Sequence, residues 1–499
     1  MHFIDPQGHT RRAFLRRSGQ LAMAGTALPF ALNLAAMGEA AAQSATDYKA
    51  LVCVFLYGGN DYANTVVTYD DPSYLAYSQI RGGNGLAGGG IAIPKASLTP
   101  TLLSPTTALD NGRQYALHPA MTQLANLYNT DGKVAVQLNV GPLVVPLTRA
   151  QYQGSDRRNY PVPPKLFSHN DQQSTWQSSS PEGSTVGWGG NLGDLAMTQN
   201  SNSLFTCMSV SGNAVFLSGD NALQYQVSTD GAIAINSLKN NVYGSSTVKA
   251  AMTQLVQQTR GHTLENEYNR ITVRAVQAEG RINNARGAAY PNGNPGTAGS
   301  FPYNVTAGGV TYNGNGLASQ LAMVARLIRG RDTLGAKRQV FFVSMGGFDL
   351  HDNLIANQPG LMARLSDAMA AFHKEMVALG LGNNVTSFTA SDFGRTLASN
   401  GDGSDHGWGG HHFVVGGAVK GKDKLYGKAP VVSINNDSKL AGYEGHVGQG
   451  RLIPGTSVDQ YAGTLAKWFG VPAAELGSIL PNLKNFGSAD YPTDMGFMA

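Results

Sequence analysis

The chain has 499 residues, and its 36 Lys and Arg against 32 Asp and Glu give a formal net charge of +4. Beyond the N-terminus no basic run occurs, which argues against a protein that binds nucleic acid or an anionic membrane surface. The length is sufficient for one large α/β domain with insertions.

The N-terminus has the pattern of an export signal. Arg11 and Arg12 are followed by apolar residues, then by a broken apolar stretch over 21–36 and by small residues ending at Ala45. We expect residues 1–45 to be a twin-arginine signal peptide, recognised by the twin-arginine export machinery. A membrane anchor is the alternative, but the apolar stretch is shorter than the roughly 20 residues of a spanning helix. The mature protein is then periplasmic or secreted.

Predominantly apolar runs of strand length, unbroken at 51–57, alternate with helical patterns along the rest of the chain. A strand whose two faces are both covered, as in a parallel sheet, shows such a continuous run rather than an alternating one. The runs lie at 51–57, 134–140, 339–345 and 385–390, and the amphipathic helical patterns at 119–128, 317–328 and 361–379. The sequence therefore predicts an α/β fold with a mostly parallel central sheet sandwiched between helices.

The segment 220–315 interrupts this alternation. It contains a long polar helical stretch around 248–284, followed by residues rich in Pro, Gly and Asn. We expect a helical and loop cap inserted in the sheet domain. Elsewhere, Cys53 and Cys207 each lie in an apolar strand-like run, where they can pair in an oxidising compartment or remain buried free thiols.

Carboxylates and histidines follow several of the predicted strands. Because ligand sites of open α/β sheets lie beyond the carboxyl ends of the strands, we expect these side chains to meet. Oxygen and imidazole donors together favour a divalent metal, with Zn, Mn, Ca and Mg not distinguished. A helix cap explains any single Asp equally well. The candidates are Asp61, Asp349, His351, Asp392, Arg395, His406, His411 and His412.

The segment 166–176 is a second concentration of polar residues and contains Ser168 beside His169 and Asp171. Adjacent residues do not form a catalytic triad, and no Gly-x-Ser-x-Gly elbow is present. A serine activated by a metal is one interpretation, and a helix N-cap is the other.

At these residues the chain resembles the secreted bacterial family called domain of unknown function 1501. The matching stretches are 55–61, 117–119, 167–176, 187–188, 346–353, 391–396, 405–417 and 451–469. The family is related to the alkaline phosphatase and sulfatase superfamily, which implies an alkaline-phosphatase-like fold with a two-metal site. By that resemblance Ser168 is the nucleophile, and the metal ligands are Asp61, Asp349, His351, Asp392 and His406.

The chain departs from the superfamily pattern at one metal. Phe393 stands where a histidine follows the later aspartate, so one metal either loses a ligand or takes a substitute from His411 or His412. Asp349 and His351 are also closer together than the usual pair. A two-metal enzyme needs both ions to clamp the attacking and leaving oxygens. The departure therefore favours a hydrolase with a single metal or a protein that has lost its enzymatic activity.

Two functions follow as hypotheses. The first is an exported metal-dependent hydrolase that acts on a small anionic substrate, a phosphate or sulfate ester. Arg395 either binds the anionic group of this substrate or forms an ion pair with a carboxylate. The second is a non-catalytic binding or assembly protein that retains the fold, with or without a metal.

Overall fold

The computed structural model describes residues 47–82, 90–232, 234–287, 300–434 and 445–499. The predicted signal peptide at 1–45 lies outside these residues. The described strands are β1 Lys49–Leu56, β2 Val66–Thr68, β3 Tyr115–Leu117, β4 Val134–Gly141, β5 Cys207–Ser209, β6 Tyr225–Gln226, β7 Val305–Ala307, β8 Val310–Tyr312, β9 Arg338–Met345, β10 Val385–Ser391, β11 Arg395–Ser399, β12 Ser404–His406, β13 Gly410–Gly416 and β14 Thr456–Ser457.

The central sheet has the order β14-β4-β13-β10-β1-β9-β5-β6. Its pairs are parallel except those of β13, which is antiparallel to both β10 and β4. The prediction of a mostly parallel sheet is confirmed, and the four apolar runs form β1, β4, β9 and β10. Further strands form the pairs β2-β3, β7-β8 and β11-β12.

Eight described α-helices have nine or more residues, and seven are shorter. The longer ones are α1 Asp71–Ile80, α2 His169–Ser178, α3 Trp188–Ala196, α4 Ser246–Gln257, α5 Thr263–Arg286, α6 Gly316–Arg329, α7 Leu354–Ala378 and α8 Val458–Phe469. The shorter ones are Tyr62–Thr65, Lys95–Leu98, Thr122–Asn126, Arg149–Gln153, Asn236–Lys239, Arg331–Leu334 and Leu476–Ile479.

Helices cover both faces of the sheet, as predicted. Alternate residues of β1 point to opposite faces: Val52 and Val54 join one core with residues of α6 and α7. Cys53 and Phe55 join the other core with residues of α3 and α8. Full burial of such side chains contributes about 1.5–3 kcal/mol each, which explains why β1 is apolar at every position from Ala50 to Leu56.

Two helices of the predicted cap are poorly covered. In α4 no residue is buried, and in α5 only Ala278, Ile282 and Ala285 are. The predicted polar helix therefore corresponds to two helices, and the existence of a separate cap stays a prediction. Cys53 and Cys207 are both buried and free. No helix in the described part of the chain is long and apolar enough to cross a membrane.

Candidate metal centre

The centre lies where three parallel strands end side by side. Leu56, the last residue of β1, is in register with Met345 of β9 and with Ser391 of β10. The segments that follow these strands therefore start at one edge of the sheet. The β11-β12 hairpin then places Arg395 opposite His406.

Three histidines surround the carboxylate of Asp349. The distances from Nε2 to a carboxylate oxygen are 3.5 Å for His169, 3.1 Å for His351 and 3.4 Å for His406. The Nε2 atoms of His351 and His406 are 3.0 Å apart. Ligand atoms of His169, Asp349 and His406 all lie within 4.8 Å of one another, a spacing that a metal ion can bridge. We call His169, His351, His406 and Asp349 the histidine cluster.

The second ring nitrogen of each histidine in the cluster, Nδ1, contacts a hydrogen-bond acceptor. Nδ1 of His169 lies 2.5 Å from Asp392 Oδ2, and Nδ1 of His351 lies 3.3 Å from Asp405 Oδ1. Nδ1 of His406 donates to the backbone carbonyl of Phe167 over 2.8 Å. Donation from Nδ1 leaves the lone pair of a neutral ring on Nε2, as metal-binding histidines require.

Arg395 fixes the carboxylate at the middle of the cluster. Its Nη1 donates to Asp349 Oδ1 over 2.7 Å and to the Gly58 carbonyl over 2.9 Å, and its Nε donates to the Ser404 carbonyl. Partial burial raises the pKa of Asp349, but the Arg395 hydrogen bond and the neighbouring positive charges outweigh it and lower the pKa overall. Arg395 is fully buried and forms with Asp349 the ion pair that was the alternative to a substrate contact.

The pKa values of two histidines of the cluster are shifted in opposite directions. The hydrogen bond to Asp392 raises the pKa of His169 against the effect of burial. Burial lowers the pKa of His406, and the nearby His169 and Arg395 lower it further. The Asp349 side chain is 44% exposed and that of His351 39%, so small molecules have access to the centre.

Phe393 closes one side of the cluster. Its ring centroid lies 4.9 Å from that of His169 and 4.6 Å from that of His406. A Cβ on Gly59 would lie 2.4 Å from this ring, so only glycine fits there. The residue that departs from the superfamily pattern therefore packs directly on two imidazoles.

Ser168 lies at the start of α2, immediately before His169. The structure records no side-chain cap bond for this N-cap residue, and the Oγ donates instead to Asp171 Oδ2 over 3.0 Å. The preceding residue, Phe167, has a φ of +72°, a strained value for a bulky side chain. Strain of this kind concentrates at functional sites, and here the same residue holds His406.

Asp61 lies apart from the histidine cluster and is occupied by protein donors. Its Oδ2 accepts from Arg81 over 2.9 Å and from Ser404 over 2.7 Å, and its Oδ1 accepts from the Asn64 backbone. Arg81 is itself fully buried. In this structure Asp61 is held in a buried ion pair, and the metal role expected for it stays a prediction.

His411 and His412 also lie outside the cluster. Nδ1 of His411 accepts from the Asn139 backbone, and its ring packs edge-on against Tyr62. His412 packs against Trp176 and lies near Thr389. Burial lowers the pKa of both rings to about 3, which marks them as neutral core histidines. Neither belongs to the histidine cluster, and a role for either as a substitute ligand stays a prediction.

Sequence reasoning placed Asp349, His351 and His406 in the site and missed His169. It also assigned Asp392 to the metal, whereas its Oδ2 accepts from Gln173 and from the Gly58 amide and contacts His169. The sequence signal for His169 was its position in the polar segment 166–176, in which only Ser168 was assigned a role.

Two solved structures illustrate the likeness to known folds. Alkaline phosphatase from the Antarctic bacterium TAB5 is 8% identical, with a TM-score of 0.26 and coverage of 76% of this chain and 93% of that one. A Bacteroides thetaiotaomicron protein designated BT33494S-sulf, from work on glycosaminoglycan metabolism, is 11% identical, with a TM-score of 0.24 and coverage of 76% and 70%. Likenesses this remote carry no argument about chemistry.

Among curated proteins no significant match was found. A family model described as "Protein of unknown function (DUF1501)" matches residues 48–440, well over half of the chain.

Proposed function

The chain belongs to the DUF1501 family, and from the site of this member we propose that it is a metal-dependent hydrolase of phosphate or sulfate esters. The observation that carries the proposal is the convergence of three Nε2 atoms on Asp349, each with its Nδ1 held by an acceptor. The ester class comes from the resemblance of the motifs.

The donor set fits a divalent ion. Three neutral imidazoles and one carboxylate are common ligands of Zn²⁺ and related ions, and the carboxylate or carbonyl behind each ring is the usual outer shell. A bound ion would supply Lewis acidity to an ester oxygen. His169, His351, His406 and Asp349 would hold it.

Ser168 is the proposed nucleophile, and Asp171 is its proton acceptor. Asp171 is 3% exposed and already accepts the Ser168 hydroxyl hydrogen bond. Attack by Oγ on the phosphorus or sulfur passes the hydroxyl proton to Asp171 and breaks the bond to the leaving oxygen, which takes a proton from solvent water and departs as the alcohol. Water then hydrolyses the covalent ester of Ser168.

The test compares metal content and turnover in matched variants of the purified mature protein. We expect near-stoichiometric metal in wild type and in Ser168→Ala, and its loss in an Asp349→Ala, His351→Ala double variant. Turnover of phosphate and sulfate monoesters should fall in both variants, because one lacks the nucleophile and the other the ion. A protein that takes up no divalent metal contradicts the proposal.

A second function is favoured by two observations. The Asp61–Arg81 ion pair and the Phe393 ring fill positions at which a second ion was expected. A non-catalytic binding or assembly protein with one structural metal is consistent with both. Metal uptake without turnover of any ester, unchanged by Ser168→Ala, would establish it.

Export is proposed from the N-terminal pattern alone. Replacement of Arg11 and Arg12 by lysine should retain the protein in the cytoplasm, because the twin-arginine pair is read by its receptor. Cell fractionation measures this, and a periplasmic protein in the lysine variant would refute the assignment.

A further inference from the structure

Exposed apolar side chains are concentrated in one segment. Of the thirteen large apolar residues that are exposed in the described part of the chain, seven lie within 235–271. Leu264, Tyr268 and Ile271 of α5 are 75%, 70% and 53% exposed. Because soluble proteins rarely leave such side chains grouped on one helix, this surface is a candidate docking surface.

Besides Val273 and Val276, the apolar residues of α5 follow a strict heptad spacing, alternating steps of four and three. They are Leu264, Tyr268, Ile271, Ala275, Ala278, Ile282 and Ala285. This spacing is that of a coiled-coil seam. The last three residues are buried, whereas the first four are exposed. The seam is thus covered at its C-terminal end and open at its N-terminal end.

We propose that the open seam, Leu264 to Ala275 of α5, packs against the same seam of a second copy in antiparallel orientation. A two-fold axis between Tyr268 and Ile271 places Tyr268 of one copy on Ile271 of the other. The same axis places Leu264 on Ala275, so every apolar residue of the open seam has a counterpart.

Charge supports this orientation. Glu267 and Arg274 lie along one edge of the seam, where they form an ion pair of 2.9 Å within the helix. In the antiparallel pair, Glu267 of each copy lies beside Arg274 of the other. A parallel pair would place Glu267 near Thr272 of the other copy, which carries no charge. It would also place the two sheet domains at the same end of the helix pair. The antiparallel pair separates them.

The overlap of about three helical turns is short, so we expect a concentration-dependent equilibrium between monomer and dimer. Sedimentation of the mature chain should show this dimer, and Tyr268→Glu with Ile271→Glu should abolish it. Leu75→Glu, at an apolar side chain 58% exposed on α1, is the matched control and should leave the dimer intact. Circular dichroism checks that each variant is folded.

Charge reversal tests the pairing itself. Glu267→Arg alone and Arg274→Glu alone should each weaken the dimer about tenfold, because like charges then face each other. The double variant should recover the dimer, and a mixture of the two single variants should form the mixed dimer.

Three outcomes would overturn the proposal. One is a wild-type protein that stays monomeric at all concentrations, and another is a dimer insensitive to Tyr268→Glu. The third is a monomer that binds phosphatidylglycerol vesicles through Tyr268, which would assign the surface to a membrane.

Discussion

Each histidine around Asp349 owes its orientation to the acceptor behind it. These acceptors are Asp392 after β10, Asp405 in β12 and the Phe167 carbonyl before α2. Imidazole rings rotate freely about their side-chain bonds unless the second nitrogen is held, so three convergent Nε2 atoms require three separate anchors. The chemistry of the centre therefore depends on residues that do not face the ligand.

Asp392→Asn tests this dependence. Asp392 is fully buried, and its Oδ1 has no hydrogen-bond partner among the described residues. Loss of the carboxylate charge behind His169 should reduce metal affinity by about 10–100-fold, since outer-shell partners have effects of this size. A metal competition assay measures it, with Gln173→Ala, which removes another contact of Asp392, as the milder control. Unchanged affinity would contradict an orienting role.

Asp459 is a buried carboxylate away from the centre, and its ionisation opposes folding. It accepts from the Asn482 backbone over 3.0 Å and from Ser179 over 3.3 Å. Burial raises its pKa from 3.8 to about 6. Between these pH values the native state holds a proton that the unfolded state has released, so stability falls as pH rises through this window.

Asp459→Asn keeps an acceptor oxygen and removes the ionisation. We expect it to raise the free energy of unfolding by on the order of 3 kcal/mol above pH 6 and by nothing near pH 4. Urea unfolding at the two pH values measures this. Asp71→Asn, at a side chain 93% exposed, should show no such pH dependence. An equal effect at both pH values would disprove the assignment.

At the scale of elements, the loop after β1 is shaped by the ring that packs on it. Gly59 has a φ of +82°, and its missing Cβ leaves room for Phe393. Gly59→Ala should therefore cost about 2–4 kcal/mol, from backbone strain and from the clash. It should also lower metal affinity, because Phe393 contacts His169 and His406.

Gly212→Ala is the matched control for this effect. Gly212 has a φ of +89° with nothing within 4 Å of the added Cβ, so it reports the strain alone, about 1 kcal/mol. Thermal unfolding compares the two variants, and Phe393→Ala in the Gly59→Ala background should recover part of the difference. Equal losses at both glycines would contradict the clash.

The helix α5 shows how composition can hide a pattern. Its Glu, Arg and Asn residues led to the prediction of a polar helix, and the seam with heptad spacing runs through them. The pattern was present in the sequence, but only the structure separates the covered end of the seam from the open end.

At the scale of the whole molecule, the strand order separates the two cysteines. Cys53 of β1 and Cys207 of β5 both flank β9, at Phe342 and Val340. Two inter-strand spacings of about 4.8 Å place their Cα atoms beyond the roughly 7 Å limit of a disulfide. Denatured, unreduced mature protein should titrate as two thiols with a thiol reagent. A titre of zero would contradict this strand order.

Sequence alone determined four strands of the central sheet, β1, β4, β9 and β10. The run at 51–57 is apolar throughout, and covering both faces of a strand requires this composition wherever the strand lies. It also placed Asp349, His351 and His406 in the site, because parallel strands all end at one edge of a sheet.

Only the tertiary structure decided which neighbour each candidate meets. Asp61 contacts Arg81 of another element, and Asp392 contacts His169, which lies 223 residues away. His411 turns into a buried aromatic environment although only the glycine-rich loop 407–410 separates it from His406. A carboxylate or an imidazole binds whichever donor, acceptor or ion is brought within about 3 Å, and that distance is set by the packing of distant segments.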